Sequence, residues 1–372
     1  MCTSLGYKDA AGNAYYGRTL ELTVDLPYQA VYLPVGHAVT SQVAGAAPLQ
    51  FVARHGMIGI TMPDRVPAPD APITVGDLKV LEGLNDQGLT FSVLSYPAAA
   101  SAKHEALEMT RAVLSASDLG SWALGQFATV AEVKAALVAQ PLALVPLAIL
   151  GGAESPFHYV LHDRTGAAIV VEFDRGEMQV YDNPVGVMTN GPQFTWHLTN
   201  LDNYTHLTNV DTPSATFGGY KASQPDSGIA TAGLPASNTS VGRFVRAAFY
   251  AQFTEKAGSP DEAVQALAHI LNNFDRPRGL TVDYPQGGES HLEVKGLDDG
   301  GGAAYATEFT SWTSMSDLGR KRLWIRDYRS LNFASFDLAS FADRKEPAVI
   351  PLERIRSGAW DASNLMTGPN TA

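Results

Sequence analysis

The spacing of apolar and polar positions predicts several strands in the first quarter of the chain. Residues 15–33 mix β-branched and aromatic residues with polar ones, a composition that suits paired strands. Residues 57–62 and 89–96 show the same strand pattern, and Asn85-Asp86-Gln87-Gly88 before the second of them is typical of a hairpin turn. Residues 63–72 are rich in proline, which lacks a backbone N–H donor, and this predicts a surface loop.

The hydrophobic period then changes from two to about 3.6, which predicts helices. Three are expected, at residues 107–114, 119–127 and 131–138, and Thr129 and Glu132 resemble a capping box for the last of them.

The second half of the chain alternates again between the two periods. Strands are expected at residues 158–162, 168–173, 178–181, 304–313 and 321–328, and helices at residues 243–253 and 260–273. No internal repeat or linker interrupts this order. The pattern therefore predicts one α+β domain over residues 1–372, with sheets covered by helices.

Residues 205–240 form a long segment with little periodicity, rich in Thr, Ser, Gly, Asn and Pro. Such a segment inside a compact chain is usually a functional or assembly loop.

Composition excludes several classes of partner. The formal net charge is −12 and there is no basic run, so no nucleic-acid partner is expected. The longest apolar stretch, residues 141–152, contains two prolines and is too short to span a bilayer, so no membrane segment is expected. No signal peptide precedes Cys2, and the chain as written is expected to be cytoplasmic. A periplasmic location would require that an export signal had been removed ahead of it.

The only cysteine of the chain, Cys2, directly follows Met1. Removal of Met1 would leave one residue with a thiol and a free α-amino group, whose unperturbed pKa is about 7.7–8.0. The amine can then take the proton of the thiol, so base and nucleophile share one residue. The alternative is that Cys2 is an incidental residue of a disordered terminus.

Other kinds of site find no support in the sequence. The nine histidines form no HExxH or Cys-His cluster, so no metal is expected. A G-x-S-x-G motif and a phosphate-binding loop are also missing from the sequence, and no cofactor is expected.

Several motifs together resemble the choloylglycine hydrolase family, which includes bile salt hydrolases and penicillin V acylases. The matching segments cover essentially the whole chain and are residues 1–4, 16–21, 83–89, 122–137, 183–190, 233–235 and 242–249. The resemblance implies the N-terminal nucleophile hydrolase fold, an α+β four-layer αββα sandwich with the nucleophile at the start of an inner strand. It also implies a homotetramer in which residues 205–240 are the assembly loop that reaches into a neighbouring subunit.

The resemblance also assigns roles near the start of the chain. Cys2 would attack the amide carbonyl, and Arg18 beside it would favour the thiolate. Glu21 would orient the α-amino group, although aspartate is more familiar at this place. Read alone, Arg18 could instead form a structural ion pair with Glu21.

Three further residues are carried over. Asn190 would donate its side-chain NH₂ to the oxyanion of the tetrahedral intermediate, with the backbone N–H of Ser95 as the second donor. Arg243 would lie close to the nucleophile at the start of a helix. Read alone, Asn190 could close a turn before Gly191-Pro192, and Arg243 could be a solvated residue of the first helical turn.

The sequence thus predicts a cysteine amidohydrolase that cleaves a linear C–N amide bond through an acyl thioester on Cys2. Its expected partner is a small N-acylated molecule: penicillin V, a conjugated bile salt or an N-acyl homoserine lactone. Ser95 does not choose among them, because bile salt hydrolases typically have asparagine there and penicillin V acylases of Gram-positive type have tyrosine. The alternative is a non-catalytic acyl-ligand-binding protein that retains the fold, which would not need a free N-terminal cysteine.

Overall fold

The computed structural model describes residues 1–99, 111–150, 152–284 and 305–360. The strands in these residues, numbered in chain order, are β1 (Cys2–Lys8), β2 (Ala14–Leu22), β3 (Gln29–Leu33), β4 (Ala38–Ser41), β5 (Ala47–Val52), β6 (Met57–Pro63), β7 (Leu78–Asn85), β8 (Thr90–Ser95), β9 (Ala112–Ser115), β10 (Leu142–Ala143), β11 (Pro146–Leu147), β12 (Ala153–Glu154), β13 (Phe157–His162), β14 (Ala168–Asp174), β15 (Glu177–Asp182), β16 (Val187–Met188), β17 (Ser214–Phe217), β18 (Tyr220–Ser223), β19 (Phe309–Asp317), β20 (Arg322–Asp327), β21 (Ala334–Asp337) and β22 (Ala348–Pro351). The α-helices are α1 (Leu119–Gln126), α2 (Val130–Leu137), α3 (Phe194–Leu201), α4 (Ser240–Phe253) and α5 (Pro260–Asn272).

Two large antiparallel sheets form the inner layers. One has six strands in the order β16-β1-β2-β19-β20-β21, and the other has eight in the order β15-β14-β13-β8-β7-β6-β3-β22. A single cluster of buried apolar side chains includes residues from both sheets. Strands β2, β6 and β19 are buried along nearly their whole length, as expected for strands covered on both faces.

Helices cover the outer faces of the two sheets. Helix α4 contacts β1, and α5 contacts β2 and β19, while α1 packs on β7 and β8 and α2 packs on β14. This is the expected α+β sandwich with four αββα layers. Gly17 permits the close approach of α5 to β2, because a Cβ at this position would lie 2.7 Å from a methyl carbon of Leu271.

Local signals explain where several elements begin and end. Thr129 and Glu132 form the predicted capping box at the start of α2, and Ser259 caps α5 ahead of a proline. The turn at residues 85–88 joins β7 to β8, and Gly88 takes a positive φ there.

Two expectations need correction. Residues 112–114, expected to be helical, lie in strand β9, which pairs with β5 and β10. A short apolar run fits a buried strand as well as a helix, so periodicity did not separate them. Residues 107–110 of the same predicted helix lie outside the described residues. The two strands within residues 15–33 belong to different sheets and do not pair with each other.

Two other segments differ in their detail. The strand expected at residues 304–313 begins at Phe309 and continues to Asp317. The segment 205–240 is not irregular throughout, because β17 and β18 form a hairpin within it.

Candidate active site

The pairing of β1 with β2 places Arg18 beside Cys2. Cys2 lies opposite Leu20 and Ser4 lies opposite Arg18, so Cys2 and Arg18 are diagonal neighbours on one face of the sheet. Arg18 Nη2 lies 3.1 Å from Cys2 Sγ, and both side chains are buried. A guanidinium at this distance favours the thiolate over the thiol.

The facing sheet holds Arg18 in place. Arg18 Nη1 donates to the carbonyl oxygens of Leu81 at 3.1 Å and Val93 at 2.7 Å. The guanidinium also lies over the ring of Trp312, 4.8 Å from its centroid. The suggested ion pair of Arg18 with Glu21 is absent from the described structure: the carboxylate beside Arg18 is Glu82, 3.7 Å from Nη1.

Asn190 reaches Cys2 from the other side of β1. Strand β16 pairs Met188 with Ser4, and this register, continued by two residues, brings Asn190 level with Cys2. Asn190 Oδ1 accepts from the backbone N–H of Cys2 at 2.9 Å, and its Nδ2 donates to the carbonyl oxygen of Ser95 at 2.7 Å. The residue therefore does more than close a turn.

Arg243 lies in the first turn of α4, but it is buried rather than solvated. Its Nη1 donates to the carbonyl oxygen of Cys2 and to Thr3 Oγ1, the latter at 2.7 Å, and its Nη2 donates to Asn190 Oδ1 at 2.8 Å. These acceptors compensate for placing a cation at a helix N-terminus. Burial lowers the pKa of Arg243, against the opposing effect of Glu21.

Glu21 lies on the opposite face of the sheet from the thiol. Residues alternate along β2, so Arg18 faces the inner interface, whereas Glu21 is on the same face as Thr3, which contacts Arg243. Glu21 Oε1 accepts from Thr310 Oγ1 at 3.2 Å. Burial raises the pKa of Glu21, and Arg243 and the amino group of the chain act against that rise.

The carboxylate that contacts the amino group of the chain is Glu308. The structure contains Met1, whose amino nitrogen lies 3.1 Å from Glu308 Oε1 and also donates to the carbonyl oxygen of Glu21. Arg276 Nη1 donates to Glu308 Oε2 at 2.8 Å. Although burial acts to raise it, the pKa of Glu308 is lowered by the amino group and by Arg276.

All six predicted residues thus lie in or next to one site, but sequence reasoning missed several that support it. Glu82 stands within the apolar strand β7, and a carboxylate there could have indicated a buried charge. Glu308 and Arg276 carry no such signal. His197 was also missed: its Nε2 lies 2.8 Å from the carbonyl oxygen of Asn190, and burial lowers its pKa to about 4.

An apolar cavity lies next to Arg18. Leu81 and Val93, whose carbonyl oxygens hold Arg18, also line a small cavity of about 20 Å³. Its other lining residues are mainly apolar and include Met62, Ala116, Leu147 and Phe157.

Within the described parts of the chain, no group of three or more His, Cys, Asp or Glu side chains is arranged to hold a metal ion. None of the described helices is both long enough and apolar enough to cross a membrane.

Comparison with known proteins adds independent findings. A sequence model described as linear amide C–N hydrolases, choloylglycine hydrolase family, matches residues 2–292. The chain is 27% identical to a bile salt hydrolase/transferase of Clostridium perfringens over 282 residues, covering 76% of this chain and 81% of the relative.

Two solved structures share the fold. The C2A mutant of conjugated bile acid hydrolase from Clostridium perfringens superposes with a TM-score of 0.79 at 22% identity, covering 98% of this chain and all of the other. Penicillin V acylase from Agrobacterium tumefaciens superposes with a TM-score of 0.71 at 19% identity, covering 96% of this chain and 94% of the other.

Proposed function

The chain belongs to the choloylglycine hydrolase family and is a hydrolase of linear amide C–N bonds, and from that premise we propose that Cys2 is its nucleophile. The observation that carries the proposal is the contact of 3.1 Å between Cys2 Sγ and Arg18 Nη2. The substrate we propose is a small N-acylated molecule, cleaved through an acyl thioester.

The reaction needs the α-amino group of Cys2, so it follows removal of Met1. The amine takes the thiol proton, and the thiolate attacks the amide carbonyl carbon. When the tetrahedral intermediate collapses, the C–N bond breaks and the same amine returns the proton to the leaving nitrogen. Water then hydrolyses the thioester and restores the free thiol.

Asn190 and Arg243 support this chemistry from the main-chain side. Both contact backbone atoms of Cys2, which fixes the nucleophile relative to the sheet. In the resting site one N–H of Asn190 Nδ2 is bonded to the Ser95 carbonyl oxygen. We assign the remaining N–H of Nδ2 and the backbone N–H of Ser95 to the oxyanion. Glu21 interacts electrostatically with Arg243, and we propose that it acts on the amine through this interaction.

We place the acyl chain on the side of the small apolar cavity beside Leu81 and Val93. At about 20 Å³ this cavity holds one water-sized sphere, so its walls must move apart to admit an acyl chain. Apolar walls with a few polar groups are usual for small-molecule sites. Penicillin V, a glycine- or taurine-conjugated bile salt and an N-acyl homoserine lactone all present an apolar acyl group next to a scissile amide.

The test is release of free amine from penicillin V, glycocholate and a long-chain acyl homoserine lactone, measured in parallel. Wild type is compared with Cys2→Ala, and intact mass establishes whether Met1 has been removed from each preparation. Turnover of at least one substrate by wild type alone supports the proposal. Equal turnover by both proteins would contradict Cys2 as the nucleophile. No turnover by a wild type that lacks Met1 would favour the non-catalytic acyl-binding alternative.

We also propose that residues 1–372 act as a single domain and assemble into a homotetramer through residues 205–240. The hairpin of β17 and β18 exposes Phe217 and Tyr220, each at 69% of its full area. Such exposed aromatic side chains are typical of contact surfaces. Light scattering on Phe217→Ser/Tyr220→Ser should show loss of the tetramer, and a wild-type monomer would contradict the proposal.

A further inference from the structure

We propose that Glu82 is a positioning residue for the reaction: it shares the charge of Arg18 and so sets how strongly Arg18 stabilises the Cys2 thiolate. This inference rests on the proposed role of Cys2 as nucleophile. It adds a charged side chain from the facing sheet to the site.

Arg18 lies between two acidic groups. Its Nη2 is 3.1 Å from Cys2 Sγ, and its Nη1 is 3.7 Å from Glu82 Oε2. Arg18 and Glu82 both have no solvent-exposed area, and Cys2 retains only 3%. Because solvent does not screen these three side chains, Arg18 is the cation that stabilises both the Cys2 thiolate and the Glu82 carboxylate.

Glu82 contributes charge more than geometry. The direct acceptors of Arg18 Nη1 are the carbonyl oxygens of Leu81 and Val93, and Trp312 covers the guanidinium. These contacts do not involve the Glu82 side chain. Replacing Glu82 by the isosteric glutamine therefore removes a charge and leaves the direct contacts of Arg18 in place.

The surroundings of Glu82 allow its charge to change near neutrality. Ser92 Oγ donates to Glu82 Oε2, and Tyr16 OH donates to Ser92 Oγ at 2.7 Å. Burial raises the pKa of Glu82 to about 7, although Arg18 and the hydroxyl of Ser92 stabilise the carboxylate.

The two states of Glu82 then act differently on the thiol. When Glu82 is ionised, it offsets the positive charge of Arg18, and the thiol loses its proton less readily. When Glu82 is protonated, the full charge of Arg18 favours the thiolate. The titratable groups that interact with Arg18 or Glu82 lie on β1, on β2 and in the segment after β2, and they are Cys2, Tyr16, Glu21 and Tyr28. On β13, the ring of His162 lies tilted against Tyr16, with 4.5 Å between the ring centroids.

The pH dependence of thiol alkylation tests this directly. Cys2 is the only cysteine, so the rate of reaction with iodoacetamide reports this thiol alone. Glu82→Gln should move the midpoint of the rate profile about 1 pH unit lower, the size of shift that a nearby charge produces. The matched control is Asp118→Asn, which removes another buried carboxylate, bonded to Lys79 at 2.7 Å, and should leave the midpoint unchanged.

The comparison uses preparations in which Met1 is removed to the same extent, as checked by intact mass. A folded Glu82→Gln with the wild-type midpoint would overturn the inference. If that variant does not fold, Ser92→Ala takes its place. Loss of the donor disfavours the carboxylate, so the midpoint should again move lower, and an unchanged midpoint would overturn the inference.

Alkylation does not require amide turnover, so the two proposals fail separately. A shifted midpoint without turnover of any amide supports the coupling of Glu82 to the thiol through Arg18, and overturns the proposed function together with the role of Glu82 in that reaction. If wild type turns over an amide but wild type and Glu82→Gln have the same alkylation midpoint, the proposed function is supported and this inference is overturned.

Discussion

Arg18 and Cys2 contact each other because they are diagonal neighbours across β1 and β2, with 3.1 Å between Nη2 and Sγ. The register of two strands that lie near each other in sequence makes these two residues neighbours. The polar groups around it come from much more distant parts of the chain, and substitutions can separate their roles.

Arg18→Met should abolish the electrostatic support of the thiolate. Removing a charge at this distance changes a pKa by about 1–3 units, so we expect kcat/KM to fall about 10- to 1000-fold near neutral pH. The variant should also be less stable, because Glu82 is left buried without its counter-charge. Steady-state kinetics and thermal unfolding measure the two effects.

The double variant Arg18→Met/Glu82→Gln separates activity from stability. It should recover most of the lost stability while its activity stays low. A double variant no more stable than Arg18→Met would show that Glu82 is not the charge left uncompensated.

Asn190→Ala should lower kcat about 10²–10³-fold, the usual loss for one oxyanion donor. The loss of Oδ1 also frees the backbone N–H of Cys2 and one contact of Arg243. The matched control is Asn183→Ala, just before β16: this buried asparagine bonds Gly186 and Val187 and should affect stability rather than kcat. Equal kcat values for the two variants would argue against a role of Asn190 in the reaction.

His197 should make the protein sensitive to mild acid. Burial lowers its pKa from 6.5 to about 4, so between these values the unfolded chain binds a proton that the folded chain does not. The free energy of unfolding should therefore fall as the pH decreases through this window, by up to about 1.4 kcal/mol per pH unit for one proton.

His197→Gln should reduce that slope when urea unfolding is followed across the same range. His162, whose pKa burial also lowers to about 4, should account for a further part of the slope. An identical slope in wild type and His197→Gln would contradict the assignment.

Gly59→Ala should destabilise the eight-stranded sheet. A Cβ at this position in β6 would lie 2.2 Å from the backbone carbonyl oxygen of Glu82, which cannot move without shifting β7. Overpacking of this kind costs about 1–3 kcal/mol. Thermal unfolding of Gly59→Ala and of Gly358→Ala makes the comparison, because a Cβ at position 358 meets nothing within 4 Å. Equal unfolding temperatures for the two variants would show that the sheet accommodates the added methyl group without loss of stability.

The sequence indicated most elements and the residues around Cys2. Amphipathic helices such as α4 and α5 carry a strong periodic signal, and the segments that hold Cys2, Arg18, Asn190 and Arg243 resemble family motifs. The four-residue run of β9 was misjudged, because its strand character comes from pairing with β5 and β10. Tertiary contacts of this kind are not visible in a short apolar run.

Contacts between distant segments were the part that sequence could not provide. Glu21 is expected to orient the α-amino group of Cys2, and its carboxylate lies on the face of Arg243 and Thr310. The carboxylate that contacts the amino group of Met1 is Glu308, 307 positions along the chain. Nothing local in the sequence relates the two.

Met1 extends the pairing of β1 with β2, because its amino group donates to Glu21 and its carbonyl oxygen accepts from the N–H of Glu21. A chain that works through the free amine of Cys2 must lose this residue, yet an aminopeptidase needs an extended terminus to cut. Under the proposed mechanism, folding and processing therefore compete for the same residue. A molecule that folds with Met1 in place would have the native shape but no free amine on Cys2, and the specific activity of a preparation would depend on how quickly the nascent terminus is trimmed.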